Sequence, residues 1–153
     1  ANDIGFVVEN EVSVSVSANQ AFELFVSQVD QWWPKDHSWW GEEGTFRIDT
    51  QAGGCFCETA GAKSAEHMHI VFVDPGNKIT MTGALVPLQD MGMSGALTFS
   101  FVELDGVTKV IMRNSVHGIF NGEVSPLAEI VDAVQRMQIN GFKQRVEALS
   151  NQK

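Results

Sequence analysis

The chain is predicted to be α+β, a curved antiparallel sheet of about six to seven strands wrapped round a long C-terminal helix, with two short helices after the first strand. Three observations predict it. Apolar and polar residues alternate with period two through most of the stretch from Thr45 to His117. The interruptions are turn-forming: Asp74-Pro75-Gly76-Asn77 supplies a fixed negative φ followed by a positive one, and Asp105-Gly106 is a two-residue hairpin signal. After Ser125-Pro126 the period changes, and Leu127, Ile130, Val131, Val134, Met137, Gly141, Phe142, Val146 and Leu149 form one apolar stripe at helical spacing.

Taken in order, the alternation from Glu11 to Val16 places three valines on one face, as a half-buried strand requires. Ser17-Ala18-Asn19-Gln20 fits a capping box, and Phe22, Phe25, Val26 and Val29 follow at helical spacing, so a short helix runs from about Ala18 to Gln28. Strands are then predicted around Phe46 and Ile48, and over Gly54–Glu58, Glu66–Val73, Lys78–Gly83, Ala96–Leu104 and Val107–His117. Ser125 and Pro126 read as the cap and first residue of a final helix of about 24 residues lying across the sheet.

The chain has 153 residues and no internal repeat, low-complexity tract or composition break, so 1–153 is read as a single domain. Nineteen acidic residues against ten basic ones give a formal charge of −9, which repels phosphate backbones and anionic lipid head groups. Nucleic acid and membrane insertion are therefore excluded as expectations, and no apolar run reaches the length of a spanning helix. The start at Ala1 fits loss of an initiator, cleavage of a signal peptide before export, or truncation.

All four tryptophans fall within Trp32-Trp33-Pro34-Lys35-Asp36-His37-Ser38-Trp39-Trp40, which requires something apolar and largely fixed at that point. Together with Ala21-Phe22-Glu23-Leu24-Phe25, Gly53-Gly54, Val73-Asp74-Pro75, and Gly141-Phe142 with Leu149, this segment resembles the START-like, helix-grip (SRPBCC) superfamily of the birch-pollen allergen and polyketide cyclases. Within it, the chain resembles homologues of the heat-shock chaperone ATPase activator. The resemblance spans nearly the whole chain and implies a cavity between the inner sheet face and the C-terminal helix. It also implies a cytoplasmic location, and it implies fold better than function.

Strand alternation suggests that Met81, Leu97, Phe99, Phe101, Val110, Met112, Asn114 and Val116 point into that cavity, with Met137 and Phe142 facing them from the helix. Leu88, Met91 and Met93 lie in a Met-Gly loop able to gate an entrance. Asn114 is polar on an otherwise apolar face and needs a partner. Trp32 and Trp33 are read as a structural lid, whereas Trp39 and Trp40, beside Gly41 and a charged loop, are read as partly exposed residues at the cavity mouth.

Cys55 and Cys57, with His67 and His69, form the one constellation that resembles metal chemistry, since both pairs are two apart on adjacent predicted strands. Four side chains on a flat sheet face form a rectangle rather than a tetrahedron, so no metal is expected. Residues two apart on an extended strand stand near the upper limit of disulfide reach, so two free thiols are the default. Gly92-Met93-Ser94-Gly95 is one residue short of a nucleophile elbow, and Gly61-Ala62-Lys63-Ser64 lacks the glycine a phosphate loop needs before its lysine. Alternation puts His117 on the outer face, and no paired carboxylates stand out.

The leading expectation is a monomer or weak dimer that holds a small apolar molecule, such as a lipid, a sterol-like compound or an aromatic metabolite, without a cofactor or a catalytic set. The alternatives are a cyclase or hydrolase using the same cavity with Asn114 or His37, and a chaperone-ATPase regulator or other protein-interaction domain.

Overall fold

A computed structural model describes residues 4–86, 88–119 and 122–151. Seven strands, β1 (Gly5–Val14), β2 (Thr45–Ile48), β3 (Cys55–Ala60), β4 (Lys63–Asp74), β5 (Lys78–Gly83), β6 (Ser94–Leu104) and β7 (Val107–His117), form one antiparallel sheet in the order β1-β7-β6-β5-β4-β3-β2. Two short helices, α1 (Ala18–Ser27) and α2 (Val29–Trp32), follow β1, and a long helix α3 (Val124–Ser150) ends the chain. This is the predicted architecture. No helix among the described residues is long and apolar enough to cross a membrane.

The turns behave as their residues require. Asp105 and Gly106 both take positive φ, 53° and 80°, between the paired Leu104 and Val107, as a hairpin turn that matches strand twist demands. Gly61-Ala62, a decoy for a phosphate loop, closes the β3–β4 hairpin between Ala60 and Lys63. The Ser17 hydroxyl accepts from the Gln20 amide at 3.2 Å and caps α1.

Some boundaries differ from expectation. β1 begins at Gly5 rather than Glu11, because its inner face, Phe6, Val8, Asn10, Val12 and Val14, contains a polar residue while Val7 faces out, which blurs the alternation. α3 begins at Val124, so Ser125 and Pro126 sit inside its first turn, where the missing proline N–H has no intrahelical acceptor to lose.

The core centres on Phe25. Its ring lies 4.6 Å from Phe99, 5.1 Å from Trp32, 5.5 Å from Phe101 and 5.6 Å from Phe142, so α1, α2, the sheet and α3 meet at one side chain. The buried stripe of α3 in this region is Gln135, Gln138, Ile139, Phe142 and Val146. Gly141 faces α2 so closely that a Cβ there would collide with the carbonyl oxygen of Trp32. A second apolar cluster, built from Phe6, Val8, Ala84, Leu88, Met93 and Val116, packs beneath the first turns of α3.

Candidate functional site

Between these two clusters the packing is incomplete, and a cleft of about 350 Å³ opens there. One wall is α3, which contributes Leu127, Ile130, Val131, Val134, Gln135 and Gln138. The opposite lip is the β5–β6 connection, through Leu85, Val86 and Leu88, and the end is closed by Asp36, His37 and Ser38. The volume lies within the range of small-molecule sites, and the lining is mostly apolar.

The cleft has an unusual polar feature. Three buried side-chain atoms have no hydrogen-bond partner among the described residues, His37 Nδ1, Gln135 Oε1 and Gln138 Oε1, and all three residues line this cleft. Gln135 is 1% exposed and Gln138 is 3% exposed. Each unpaired buried polar atom costs free energy on the order of 1–3 kcal/mol, so three of them on residues that border one apolar space need a reason.

Both lips are held in place from behind. The tryptophan segment anchors the His37 turn: Trp33 Nε1 donates to the His37 carbonyl at 3.0 Å, and Trp32 Nε1 donates to the Phe25 carbonyl at 2.9 Å. Lys35 ties the same turn to Asp30 and to the Gly44 carbonyl. The Asp30 carboxyl is half-buried; burial raises its pKa, but the Lys35 hydrogen bond, the Phe46 amide and the Lys35 charge outweigh that and hold it below the usual 3.8.

The deeper anchor is Glu58. Its carboxyl oxygens accept from the amides of Trp39 and Trp40 at 3.0 and 3.1 Å, and His67 Nε2 stands 2.7 Å from Oε1. With Glu58 acting as acceptor, the proton belongs on Nε2 of His67. Burial holds the His67 imidazole below its ordinary pKa of 6.5, against the opposing hydrogen bond and charge of Glu58. Gly44 makes room for this carboxyl, since a Cβ there would overlap Glu58 Oε2. From the other side, Gln89 Nε2 donates to the carbonyls of Glu66 and His67 at 2.7 and 3.0 Å, which ties the β5–β6 lip to the same place.

The predicted site residues are dispersed. Leu88 lines the cleft. Met93 is buried in the second cluster, with Met91 against it. Met81, Phe99, Met112 and Phe142 are fully buried in the main core, packed against protein rather than lining this cleft. Asn114 is buried on the inner face of β7, opposite Val8 and Leu97. Trp39 is exposed and Trp40 is half-buried, and it is their backbone amides that Glu58 holds. Met137 is a correction: it is 53% exposed, because it stands two residues from Gln135, about 200° round the helix from the buried stripe.

The constellation of Cys55, Cys57, His67 and His69 is not gathered on one face. Cys57 pairs with Glu66 and Phe56 with Met68, leaving His67 as the extra residue of a bulge, and the bulge turns its side chain into the core while His69 stays exposed. Among the described residues no group of three or more His, Cys, Asp or Glu could hold a metal ion. The two free thiols are also a correction, since Cys55 and Cys57 form a disulfide. The irregularity between Phe56 and Cys57 accompanies a Cα separation of 5.4 Å, well inside disulfide reach and shorter than the roughly 6.6 Å of a regular strand.

Sequence reasoning missed Gln135, Gln138 and Glu58. The signals were present. Gln135 and Gln138 fall on the buried stripe with Ile139 and Phe142, and Glu58 shares the inward parity of Phe56 and Ala60.

No family model and no curated protein matches the chain. Solved structures do. An uncharacterised protein from Rhizobium leguminosarum superimposes with a TM-score of 0.67 at 14% identity, over 94% of this chain and 95% of that one. Ara h 8.0201 gives 0.67 at 14% identity, over 94% and 99%. DynU16, a protein of the dynemicin biosynthetic locus, gives 0.66 at 12% identity, over 96% of this chain and 48% of that one. At these identities the likeness speaks to architecture alone: the chain shares the helix-grip fold of these structures.

Proposed function

We propose that this protein binds a small, mostly apolar molecule in the cleft between the β5–β6 connection, the N-terminal half of α3 and the Asp36–Ser38 turn. The observation that carries this reading is that three unpartnered buried polar atoms belong to His37, Gln135 and Gln138, residues that all border one apolar cleft. A bound molecule covers the apolar lining and, as these side chains turn toward it, supplies the partners the protein lacks. The predicted gate loop contributes through Leu88. The sheet-facing methionines support the site from the core.

The test is a fluorescence titration with phenylnaphthylamine, a neutral apolar probe. Saturable one-to-one binding that disappears in Val134→Trp, a substitution that fills the cleft from a half-buried position, supports the reading. No saturable binding, or unchanged binding in Val134→Trp with near-ultraviolet circular dichroism intact, overturns it.

A second reading, a regulator of a chaperone ATPase, draws on the sequence likeness to that activator family. Its test is the steady-state ATPase rate of a heat-shock chaperone with and without the chain. A cyclase or hydrolase role in the same cleft would use His37 as its imidazole.

A further inference from the structure

The proposal that the cleft binds a small apolar molecule leaves its chemical class open, and the lining narrows it. Two of the three unpartnered atoms, Gln135 Oε1 and Gln138 Oε1, are acceptors of hydrogen bonds. They stand one helical turn apart on one face of α3. The third, His37 Nδ1, belongs to a ring whose Nε2 is 4.0 Å from Asp36 Oδ1, too far for a hydrogen bond to settle which nitrogen carries the proton. Nδ1 therefore serves as donor or acceptor as the guest requires.

Charge points the same way. No Lys or Arg is among the residues lining the cleft, whose one charged member is Asp36. The whole chain carries a formal −9. An anion entering this space would lose its hydration and meet no cation, whereas a hydroxyl or an ammonium would gain two amide oxygens once the Gln135 and Gln138 side chains turn toward it. Turning either glutamine amide end for end would offer N–H groups but still no positive charge.

We propose that the cleft takes an apolar body ending in a neutral or cationic hydrogen-bond donor, a hydroxyl or an amine, and rejects the carboxylate and phosphate ends of fatty acids and phospholipids. This rests on the cleft being a binding site. The donor end lies against Gln135 and Gln138, and the apolar body runs along Val131, Val134 and Leu88.

The experiment is calorimetric titration of the full chain with four compounds of one ring system: naphthalene, naphthol, naphthylmethylamine and naphthoate. Naphthol and naphthylmethylamine bind at least about tenfold more tightly than naphthoate. In Gln135→Leu and Gln138→Leu the advantage of naphthol over naphthalene shrinks, a readout that merely structural glutamines would not move. Naphthoate binding as tightly as naphthol in the wild-type protein overturns the selectivity and leaves the cleft standing as a site. Failure of all four compounds overturns both.

Discussion

Glu58 Oε1 and His67 Nε2 lie 2.7 Å apart with both side chains removed from solvent, and the pair joins the two lips of the cleft. Glu58 holds the amides of Trp39 and Trp40, just beyond the His37 turn. The His67 backbone carbonyl accepts from Gln89, just beyond Leu88. The bulge in β4 makes this geometry by turning an outward histidine inward.

Replacing Glu58 with Gln exchanges a charge-assisted acceptor for a weaker one that also presents N–H groups to two donors. A loss of about 2 kcal/mol or more is expected in urea unfolding. The amides of Trp39 and Trp40 should also exchange with deuterium faster than in the wild type. Unchanged protection of both amides would separate Glu58 from the loop and contradict the assignment.

Stability should fall in acid in two steps. Burial depresses the His67 pKa, so above its unfolded value of 6.5 the histidine is neutral in both states and nothing is lost. As the pH falls below that value the unfolded chain binds the proton first, and stability declines until the folded pKa is reached. Asp30, also depressed, contributes stability above its unfolded value of 3.8 that is lost as the pH falls through its folded pKa. Urea midpoints measured from pH 8 to pH 3 check this, and His67→Gln should flatten the upper step alone.

Gly141→Ala sets two effects against each other. Helix propensity favours alanine by about 1 kcal/mol, but the added Cβ meets the carbonyl oxygen of Trp32, which is backbone and has little room to move. The steric effect should win, with a lower melting temperature for the variant. A higher one would mean that α2 and α3 separate more easily than their packing suggests.

The Cys55–Cys57 disulfide spans a sequence separation of 2. Loop entropy for so small a ring amounts to about 1.5 kcal/mol, so the double serine variant should fold and retain the cleft. Alkylation of the denatured wild-type chain without reductant should add no label, and after reduction it should add two.

The architecture was legible because the turns carried their own chemistry. Asp105-Gly106 takes two positive φ angles that few other pairs accept, and Phe22 with Phe25, like Phe142 with Val146, stands at the helical spacing a buried face requires. What alternation could not convey was a change of parity. One extra residue at His67 turns that histidine inward while Cys55, Cys57 and His69 keep to the outer side, so the Cys and His pairs that looked aligned no longer share one face. Met137 was placed inside because it is apolar, and Gln135 and Gln138 were passed over because they are not. In a helix that lines a cleft, a polar residue on the buried face tells more than an apolar one.

The most direct test of the cleft is a proton–nitrogen correlation spectrum of the isotope-labelled chain during titration with phenylnaphthylamine. The account predicts saturating shifts of the Gln135 and Gln138 side-chain amides and of the backbone amides of Leu85, Val86 and Leu88, with the β2–β3 region unmoved. Shifts confined to other surfaces, or a spectrum that does not change, would contradict it.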